Sequence, residues 1–319
     1  MPFSVIQGQD KPVSQLKKLL AHGCISGSYL FVGPEGVGKY LVSRCFAKAL
    51  NCQRFVGDFC DECSSCAKIE KNQHPDVHFI DTGEDEIKID HIRALRRDIN
   101  LRPFEARNKV FILRNADKLN AESSSALLKT LEEHPRDAVI ILVTAKPKML
   151  FKTIISRCQI VRFSSVPVRQ LEELLKKKHG LQESEAHFLA FFSEGKPGLA
   201  LELKERQFYS FKNLVINEFG LTQKKTSLSL GQEIDKVSLR DVLNILASWF
   251  KDLYLLKNGI AARSLINLDR KTDLWMLKDA LSFKELDMAM KFIFDSLGYL
   301  ENNVNPKLLL ANLGCLLNV

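Results

Sequence analysis

Continuous apolar runs alternate with helix-period patterns along the first half of the chain. Uninterrupted runs of β-branched and bulky apolar residues predict buried strands at 29–32, 77–80, 109–113 and 138–144. Between these runs, apolar residues recur every three or four positions, which predicts amphipathic helices at 14–20, 41–50, 90–100 and 123–133. Strands that alternate with helices favour parallel pairing, with both faces of the sheet covered. The pattern therefore predicts a three-layer α/β domain.

The second half of the chain keeps helical periodicity and loses the strand-like runs. After Pro167 the pattern predicts helices at 168–178, 183–192 and 199–211, with breaks at Gly180 and at residues 195–198. Further helices are predicted from residue 241 onward and around 286–297. The pattern therefore divides the chain into an α/β first half that ends near Pro167 and a helical second half.

The composition describes a folded protein of two or three domains. The chain has 319 residues, of which 45% are hydrophobic and 26% are charged. Its apolar run from Ala138 to Val143 is far shorter than the roughly 18 residues that span a bilayer, and its start lacks a signal-peptide core. We expect a cytoplasmic protein without membrane contact. The formal net charge of +8 suits a protein that works near a polyanion.

A glycine-rich turn joins the first predicted strand to a helix with the spacing of a phosphate-binding loop. The template G-x-x-x-x-G-K-[ST] is matched at Gly33, Gly38 and Lys39, and Gly36 also permits a tight turn. In the template, backbone N–H groups hold phosphates, the lysine reaches the terminal phosphates, and the hydroxyl binds Mg²⁺. Here the hydroxyl position is Tyr40, whose phenol extends too far from the backbone to replace a serine oxygen. The loop shape is expected to persist without its metal ligand.

The strand predicted at 109–113 ends in Arg114-Asn115. An active P-loop ATPase carries an Asp there, and usually a Glu, for Mg²⁺ and for the attacking water. With Tyr40, three ligands that hydrolysis needs together are missing. Asp117 lies three residues beyond the expected position and would reach a metal only if the strand end were rearranged. We therefore expect no ATP hydrolysis by the isolated chain, although Lys39 and the loop N–H groups leave weak nucleotide binding open.

Four of the eight cysteines form a cluster with metal-ligand spacing. In a chain without an export signal, cysteines favour metal ligation or core packing over disulfides. The spacing C-x7-C-x2-C-x2-C predicts a structural zinc site, because four sulfurs leave no open position for a catalytic water. The alternative is a group of reduced, unliganded thiols. The predicted ligands are Cys52, Cys60, Cys63 and Cys66, and the predicted core cysteines are Cys24, Cys45, Cys158 and Cys315.

Taken together, seven segments resemble the clamp-loader ATPases of the AAA+ class, and within that class the delta-prime subunits of bacterial DNA polymerase III. The resemblance covers the whole chain in order. It rests on GPEGVGKY at 33–40, the cysteine cluster, HPD at 74–76, KVFILRNADKLN at 109–120, ALLKTLEEHP at 126–135, ILVTAKP at 141–147 and TIISRCQIVRF at 153–163. The ATP-hydrolysing gamma/tau relatives carry Asp-Glu after the strand and an arginine in the lid. Gly198 stands about where that arginine would fall, which puts ATPase activity in doubt.

The resemblance implies an architecture and a set of partners. It implies an AAA+ (P-loop NTPase-like) domain at 1–166, a helical lid at 167–212 and an all-α collar domain at 213–319. The chain would join delta and three gamma/tau subunits in a hetero-pentamer of a DNA-directed DNA polymerase holoenzyme. That complex opens the sliding clamp and places it on primer-template DNA in the bacterial cytoplasm. ATP and Mg²⁺ are not expected to be functional in this subunit.

The motif Ser156-Arg157-Cys158 is expected to supply an arginine finger. A planar, permanently charged guanidinium suits bidentate contact with a γ-phosphate, and the resemblance assigns Arg157 to the ATP site of a neighbouring gamma/tau subunit. The alternative is an ordinary surface ion pair, with Arg162 close by.

Two other functions are considered. One is an active gamma/tau-type ATPase subunit, against which the three missing ligands argue. The other is a zinc-dependent nucleic-acid-binding protein that uses the cysteine cluster directly. The cluster contains Asp61 and Glu62, with only Lys68 and Lys71 nearby, which makes a poor phosphate-binding surface.

Overall fold

A computed structural model describes residues 2–219, apart from positions 24, 26, 84 and 134, and residues 236–301. Two of the predicted core cysteines, Cys24 and Cys315, lie outside the described residues. The chain forms two compact units. The first comprises Met1–Val166 with Lys196–Leu199, and the second comprises Pro167–Gly195 with Ala200–Val319.

The first unit contains a five-stranded parallel sheet. Its strands, in chain order, are β1 (Gly27–Val32), β2 (Val77–Ile80), β3 (Lys109–Leu113), β4 (Ala138–Thr144) and β5 (Cys158–Arg162). The spatial order is β2-β3-β4-β1-β5, and all four pairings are parallel. The predicted parallel α/β architecture is therefore confirmed.

Helices connect the strands and cover both faces of the sheet. They are α1 (Asp10–Ala21), α2 (Lys39–Asn51), α3 (Ser64–Glu70), α4 (Ile89–Ile99), α5 (Ala121–Glu132) and α6 (Lys152–Ile155). Alternate residues of β1 enter two separate cores. Tyr29 and Phe31 pack with α1, α2 and α3 on one face, whereas Leu30 packs with α4, α5 and α6 on the other. This alternation is the period-2 geometry of a strand buried on both faces, and it produces three layers.

The second unit is helical throughout its described residues. Its helices are α7 (Val168–His179), α8 (Glu183–Phe192), α9 (Pro197–Glu205, whose first turn belongs to the first unit), α10 (Phe208–Glu218), α11 (Lys236–Lys257), α12 (Lys271–Ala280) and α13 (Phe283–Glu301). One prediction was wrong. The single helix expected at 199–211 is broken into α9 and α10, because Gln207 adopts a left-handed conformation with φ of 52° and so ends the helical hydrogen-bond ladder.

Buried polar contacts tie the helices of the second unit together. Lys212 is fully buried and donates to Asp269 Oδ2 at 2.5 Å. His187 Nε2 lies 2.8 Å from the carbonyl oxygen of Leu265. Trp249 is buried as well, so it serves the core of this unit. Across the described residues, none of the helices combines the length and the apolarity that crossing a bilayer requires.

Candidate functional site

The glycine-rich loop leads from β1 into α2 as the spacing predicted. Gly38 is the N-cap of α2 and has φ of 97°, a conformation that side chains with a Cβ rarely adopt. Gly36 has φ of 73°, and a Cβ there would lie 2.8 Å from the Cβ of Leu199. The carbonyl oxygen of Gly36 accepts hydrogen bonds from the backbone N–H groups of Gly198 at 2.7 Å and Leu199 at 3.1 Å. The residue at the expected lid-arginine position, Gly198, thus packs directly on the loop.

The loop lysine is engaged by the loop itself. Lys39 Nζ donates to the carbonyl oxygens of Gly33 and Pro34, both at 2.6 Å. Burial lowers the pKa of Lys39 to about 8, although Glu35 and Asp117 act in the opposite direction. In the phosphate-binding template, the ammonium group of this lysine contacts the terminal phosphates. In this structure the ammonium group instead links the end of the loop to its start through these two hydrogen bonds.

The place of the metal ligands is taken by an aromatic ring and a cation. The guanidinium carbon of Arg114 lies 5.2 Å from the centre of the Tyr40 ring, and Arg114 Nη1 donates to Asp81 Oδ2 at 2.9 Å. The Tyr40 ring also meets Phe79 edge-on at 6.2 Å. Desolvation raises the pKa of Tyr40, so its hydroxyl stays neutral at physiological pH. Neither the Tyr40 phenol nor the Arg114 guanidinium offers Mg²⁺ the serine or carboxylate oxygen that such a site uses, and the Asp81 carboxylate is paired with Arg114.

Asp117, a second carboxylate near the end of β3 besides Asp81, is committed to another contact. It lies in the short 3-10 helix Ala116–Lys118, and its Oδ1 accepts a hydrogen bond from the Thr144 hydroxyl at 2.5 Å. The Thr144 hydroxyl oxygen also accepts from the backbone N–H of Lys146 at 2.9 Å. Asp117 therefore links the ends of β3 and β4 through the Thr144 hydroxyl.

The four predicted cysteine ligands converge between α2 and α3. The Sγ atoms of Cys52, Cys60, Cys63 and Cys66 all lie within 4.8 Å of one another. A tetrahedral zinc ion with bonds of about 2.3 Å holds its sulfurs about 3.8 Å apart, so small shifts suffice to reach that geometry. Backbone N–H groups point at the sulfurs, with Phe55 N 3.4 Å from Cys52 Sγ and Cys63 N 3.2 Å from Cys60 Sγ. The donor set fits a four-coordinate structural metal.

The cysteines differ in acidity, and not according to membership of the cluster, because burial raises the pKa of Cys66, which belongs to it. Burial raises the pKa of Cys63, but hydrogen bonds from the backbone of Cys66 and Gln53 outweigh burial and lower that pKa to about 6. In contrast, burial raises the pKa values of Cys45 and Cys158 to about 12. Thiolates are the form that binds metals. Cys45 is buried and Cys158 is half-buried, and both behave as packing residues.

A buried lysine ties the cysteine cluster to α2. Lys48 is 5% exposed, donates to Asp61 Oδ1 at 2.5 Å and pairs with Glu70 Oε2 at 2.5 Å. Burial lowers the pKa of Lys48, but the two carboxylates outweigh burial and raise it. Asp61 has φ of 60°, a strained value for a residue other than glycine. The helix that begins at the glycine-rich loop therefore also holds the turn between Cys60 and Cys63. No pattern in the sequence indicated this contact.

Arg157 lies on the surface just before β5, with its side chain 37% exposed. Its Nε donates to Glu132 Oε1 at 2.7 Å, and its Nη1 donates to the carbonyl oxygen of Thr153 at 3.0 Å. The neighbouring Ser156 hydroxyl also donates to Thr153 O, at 3.1 Å. Glu132 comes from the end of α5, 25 positions earlier in the chain, and no signal in the sequence marked it as a partner of Arg157.

Arg157 and the glycine-rich loop lie at opposite ends of two neighbouring strands, β5 and β1. β1 and β5 are parallel neighbours in which Ser28 pairs with Cys158 and Val32 with Arg162. The loop follows the carboxyl end of β1, whereas Arg157 precedes the amino end of β5. At about 3.3 Å per residue, some 20 Å separate the two along the strand direction. The structure therefore does not bring Arg157 to the glycine-rich loop of its own chain.

The aspartate of the HPD segment organises a surface loop, a role that no pattern in the sequence indicated. Asp76 is 1% exposed, and its carboxylate accepts backbone N–H groups from Phe104 at 2.8 Å, Glu105 at 2.8 Å and Ala106 at 2.9 Å. Burial raises the pKa of Asp76, but these three hydrogen bonds outweigh burial and lower it. His74 Nδ1 in turn accepts from the backbone N–H of Asp76 at 3.1 Å. HPD is thus a structural motif that fixes the connection between α4 and β3.

Two family models match this chain and together cover most of it. One, described as DNA polymerase III, delta subunit, matches residues 8–167. The other, described as DNA polymerase III, delta subunit, C terminal, matches residues 207–318. The chain belongs to the DNA polymerase III delta-subunit family.

Relatives of this delta-family chain include delta′, tau and gamma subunits. It is 34% identical over 151 residues to DNA polymerase III subunit delta′ of Bacillus subtilis (strain 168), which is 47% of this chain and 46% of that protein. It is 34% identical over 214 residues to subunit tau of Escherichia coli (strain K12), which is 65% of this chain and 33% of that protein. It is 30% identical over 256 residues to subunit gamma of Buchnera aphidicola subsp. Acyrthosiphon pisum (strain APS), which is 76% of this chain and 70% of that protein. The matches to the delta′ and tau proteins thus span less than half of those proteins' length.

One solved structure supports the fold of this delta-family chain over almost its whole length. It is a DNA polymerase III gamma subunit-related protein from Thermotoga maritima, with a TM-score of 0.52 at 20% identity. The match covers 96% of this chain and 98% of that one. At this identity the likeness shows the fold alone.

Proposed function

We propose that this chain is a clamp-loader subunit that hydrolyses no ATP itself and supplies Arg157 to the ATP site of a neighbouring subunit. The observation that carries the proposal is the position of Arg157 about 20 Å along the strand direction from the chain's own glycine-rich loop. From there the guanidinium cannot reach a phosphate in its own loop. An exposed arginine beside a sheet edge is well placed for a docking partner.

The chemistry of the glycine-rich loop supports the non-hydrolysing half of the proposal. Lys39 is bound to its own loop, and Arg114 with Tyr40 fills the place of the metal ligands. Phosphoryl transfer needs a metal ion and a residue that positions the attacking water. With neither carboxylate available at Arg114-Asn115, the isolated chain has no route to activate water.

Zinc is the proposed structural metal. Cys52, Cys60, Cys63 and Cys66 hold it, and a metal ion bound there supplies four cross-links to a segment with little apolar core of its own. Four thiolate ligands leave no position for a reacting water, so the metal serves stability alone.

The proposed partners are gamma/tau and delta subunits in a hetero-pentamer, acting on a sliding clamp and primer-template DNA in the bacterial cytoplasm. The second unit supports assembly because large apolar side chains on α12 and α13 are exposed. They are Trp275, Met276, Met288, Phe294 and Tyr299. Exposed apolar side chains at this density are typical of interaction surfaces. We assign residues 1–166 to the AAA+ domain, 167–212 to the lid and 213–319 to the collar.

The two alternatives fit the structure less well. An active gamma/tau-type ATPase requires metal ligands that Tyr40, Arg114 and Asn115 do not provide. A zinc-dependent nucleic-acid-binding protein requires cations on the cysteine cluster. Two of the lysines there are instead paired with acids, Lys48 with Asp61 and Lys68 with Glu105 Oε1 at 2.7 Å.

The test of this function is reconstitution with purified gamma/tau, delta, clamp and primed DNA. Omission of this chain is expected to abolish clamp loading, and the isolated chain is expected to show no ATP turnover above background. Steady turnover by the isolated chain that Lys39→Ala abolishes would refute the non-hydrolysing assignment. Full clamp loading without this chain would refute the subunit assignment.

A further inference from the structure

Glu132 holds the guanidinium of Arg157 from one side. Arg157 donates to Glu132 Oε1 from Nε at 2.7 Å and from Nη2 at 2.5 Å. Its third nitrogen, Nη1, donates to the carbonyl oxygen of Thr153 at 3.0 Å. These contacts use three of the five N–H donors of a guanidinium and leave one on each Nη nitrogen. The plane of the group is therefore fixed while two donors remain for a ligand.

Both anchors of the guanidinium lie on elements that are themselves fixed. Glu132 ends α5, whose Leu127 and Leu131 are buried against the sheet. Thr153 belongs to α6, whose Ile154 is fully buried in the same core. The carboxylate and the carbonyl oxygen are therefore held at set positions relative to the sheet, and so is the head of Arg157.

Stability alone gives a poor reason for Glu132. The side chains of Arg157 and Glu132 are 37% and 48% exposed, and an ion pair so open to water adds little to the free energy of folding. Glu132 also stands in the last turn of α5, where the negative end of the helix dipole disfavours a carboxylate. A free arginine side chain samples many rotamers, and ordering it on contact with a ligand is costly in entropy. A contact that orders Arg157 beforehand removes that cost from the reaction step.

We propose that Glu132 is a positioning residue that pre-orients Arg157 for an anionic phosphate group presented by a neighbouring subunit. This inference rests on the proposed role of Arg157 in trans. Because the orientation matters when charge develops in the transition state, loss of Glu132 lowers the maximal rate and leaves ATP binding nearly unchanged.

The test measures clamp loading by the assembled complex as a function of ATP concentration. Glu132→Ala is expected to lower the maximal loading rate about 5- to 10-fold, with half-saturating ATP within about two-fold of the wild type. Glu132→Gln keeps an acceptor oxygen without the charge, so its maximal loading rate is expected to lie between those of the wild type and Glu132→Ala. Glu133→Ala is the matched control, since it removes the same charge one position away, and is expected to load at the wild-type rate.

A double-mutant cycle separates positioning from a general structural effect. In an Arg157→Ala background, Glu132→Ala is expected to change the loading rate by less than about two-fold. An equal loss in both backgrounds would overturn the inference, as would a wild-type rate for Glu132→Ala in a complex that Arg157→Ala impairs. If Arg157→Ala itself leaves loading unchanged, the proposed function fails, and the inference fails with it. Should Glu132→Ala not fold, Glu132→Gln serves in the same cycle.

Discussion

Removal of one cysteine from the cluster should cost the first unit both its metal and a measurable part of its stability. Cys63→Ser is the informative change, because Cys63 is also the N-cap of α3 and its sulfur accepts from the backbone N–H of Cys66. A serine hydroxyl can keep that cap. The substitution therefore removes a metal ligand while it retains the local helix signal.

The size of the effect follows from the loop that the metal closes. Residues 52–66 form a segment of about 15 residues, and cross-linking a loop of that length is worth about 3 kcal/mol in the chain-entropy account. For a unit of this size, that loss lowers the midpoint of thermal unfolding by about 6 to 12 °C. Neighbouring contacts are expected to weaken as well, because Phe59, which lies in this segment, packs edge-on against Phe3 with the ring centres 5.3 Å apart.

Elemental analysis and thermal unfolding of the full chain measure both parts of this prediction. The wild type should carry about one zinc per chain, and Cys63→Ser should carry markedly less and melt lower. Cys158→Ser is the matched control, because this half-buried cysteine lies outside the cluster, and its zinc content should equal that of the wild type. Protein prepared without chelators that contains no metal would refute the zinc assignment. Loss of zinc without any change in the melting midpoint would refute the structural role.

Further variants test the ion pairs of Lys48, the hydrogen bonds of the Asp76 carboxylate and the exposed apolar side chains of α13. Lys48→Met should lower stability by about 1 to 2 kcal/mol, because two half-exposed carboxylates lose a buried partner. The same change should speed the transfer of zinc to a chelator, and an unchanged transfer rate would contradict this prediction. Asp76→Asn should cost about 2 to 3 kcal/mol in denaturant unfolding at neutral pH. The folded-state pKa of Asp76 lies below its ordinary 3.8. The stabilisation that the Asp76 carboxylate provides is therefore complete above pH 3.8 and disappears as the pH falls through the folded-state pKa. A stability difference between wild type and Asp76→Asn that persists at acid pH would contradict the prediction. Met288→Glu with Phe294→Glu should weaken co-purification with gamma/tau, whereas Lys291→Ala on the same helix should not.

The strands β1 to β4 were predictable from sequence because they are largely apolar runs, whereas β5 mixes polar with apolar residues and is only partly buried. The bounds of β2, β3 and β4 agree with the predicted ranges. Of these, β3 and β4 are buried at every residue, and such strands stop where polar residues begin. Helix ends were less predictable because caps decide them. The break at Gln207 was missed, since only the folded backbone reveals a left-handed glutamine. The predicted boundary between residues 212 and 213 stays a prediction.

The candidate site was predictable where residues are close in sequence and not where folding brings distant residues together. The cysteine cluster occupies one short segment, and its spacing alone indicated a metal site. The substitutions at Tyr40 and Arg114 were visible as departures from a motif, but the stacking of the guanidinium on the ring was not. The contacts of Arg157 with Glu132 and of Asp76 with the loop at 104–106 join different elements, so no local pattern could reveal them.

Clamp loading by a reconstituted complex that contains Arg157→Ala tests the central claim most directly. The variant complex should assemble with normal stoichiometry and zinc content, because Arg157 is a surface residue. Its rate of clamp loading on primed DNA, and the ATP turnover that clamp and DNA stimulate, should fall. Arginine fingers contribute about 10³ to 10⁵ in rate at a single site, and in a cycle that several sites share we expect a loss in loading of about 10²-fold. Wild-type loading and stimulated turnover in the assembled variant complex would contradict the claim that this chain acts in trans through Arg157.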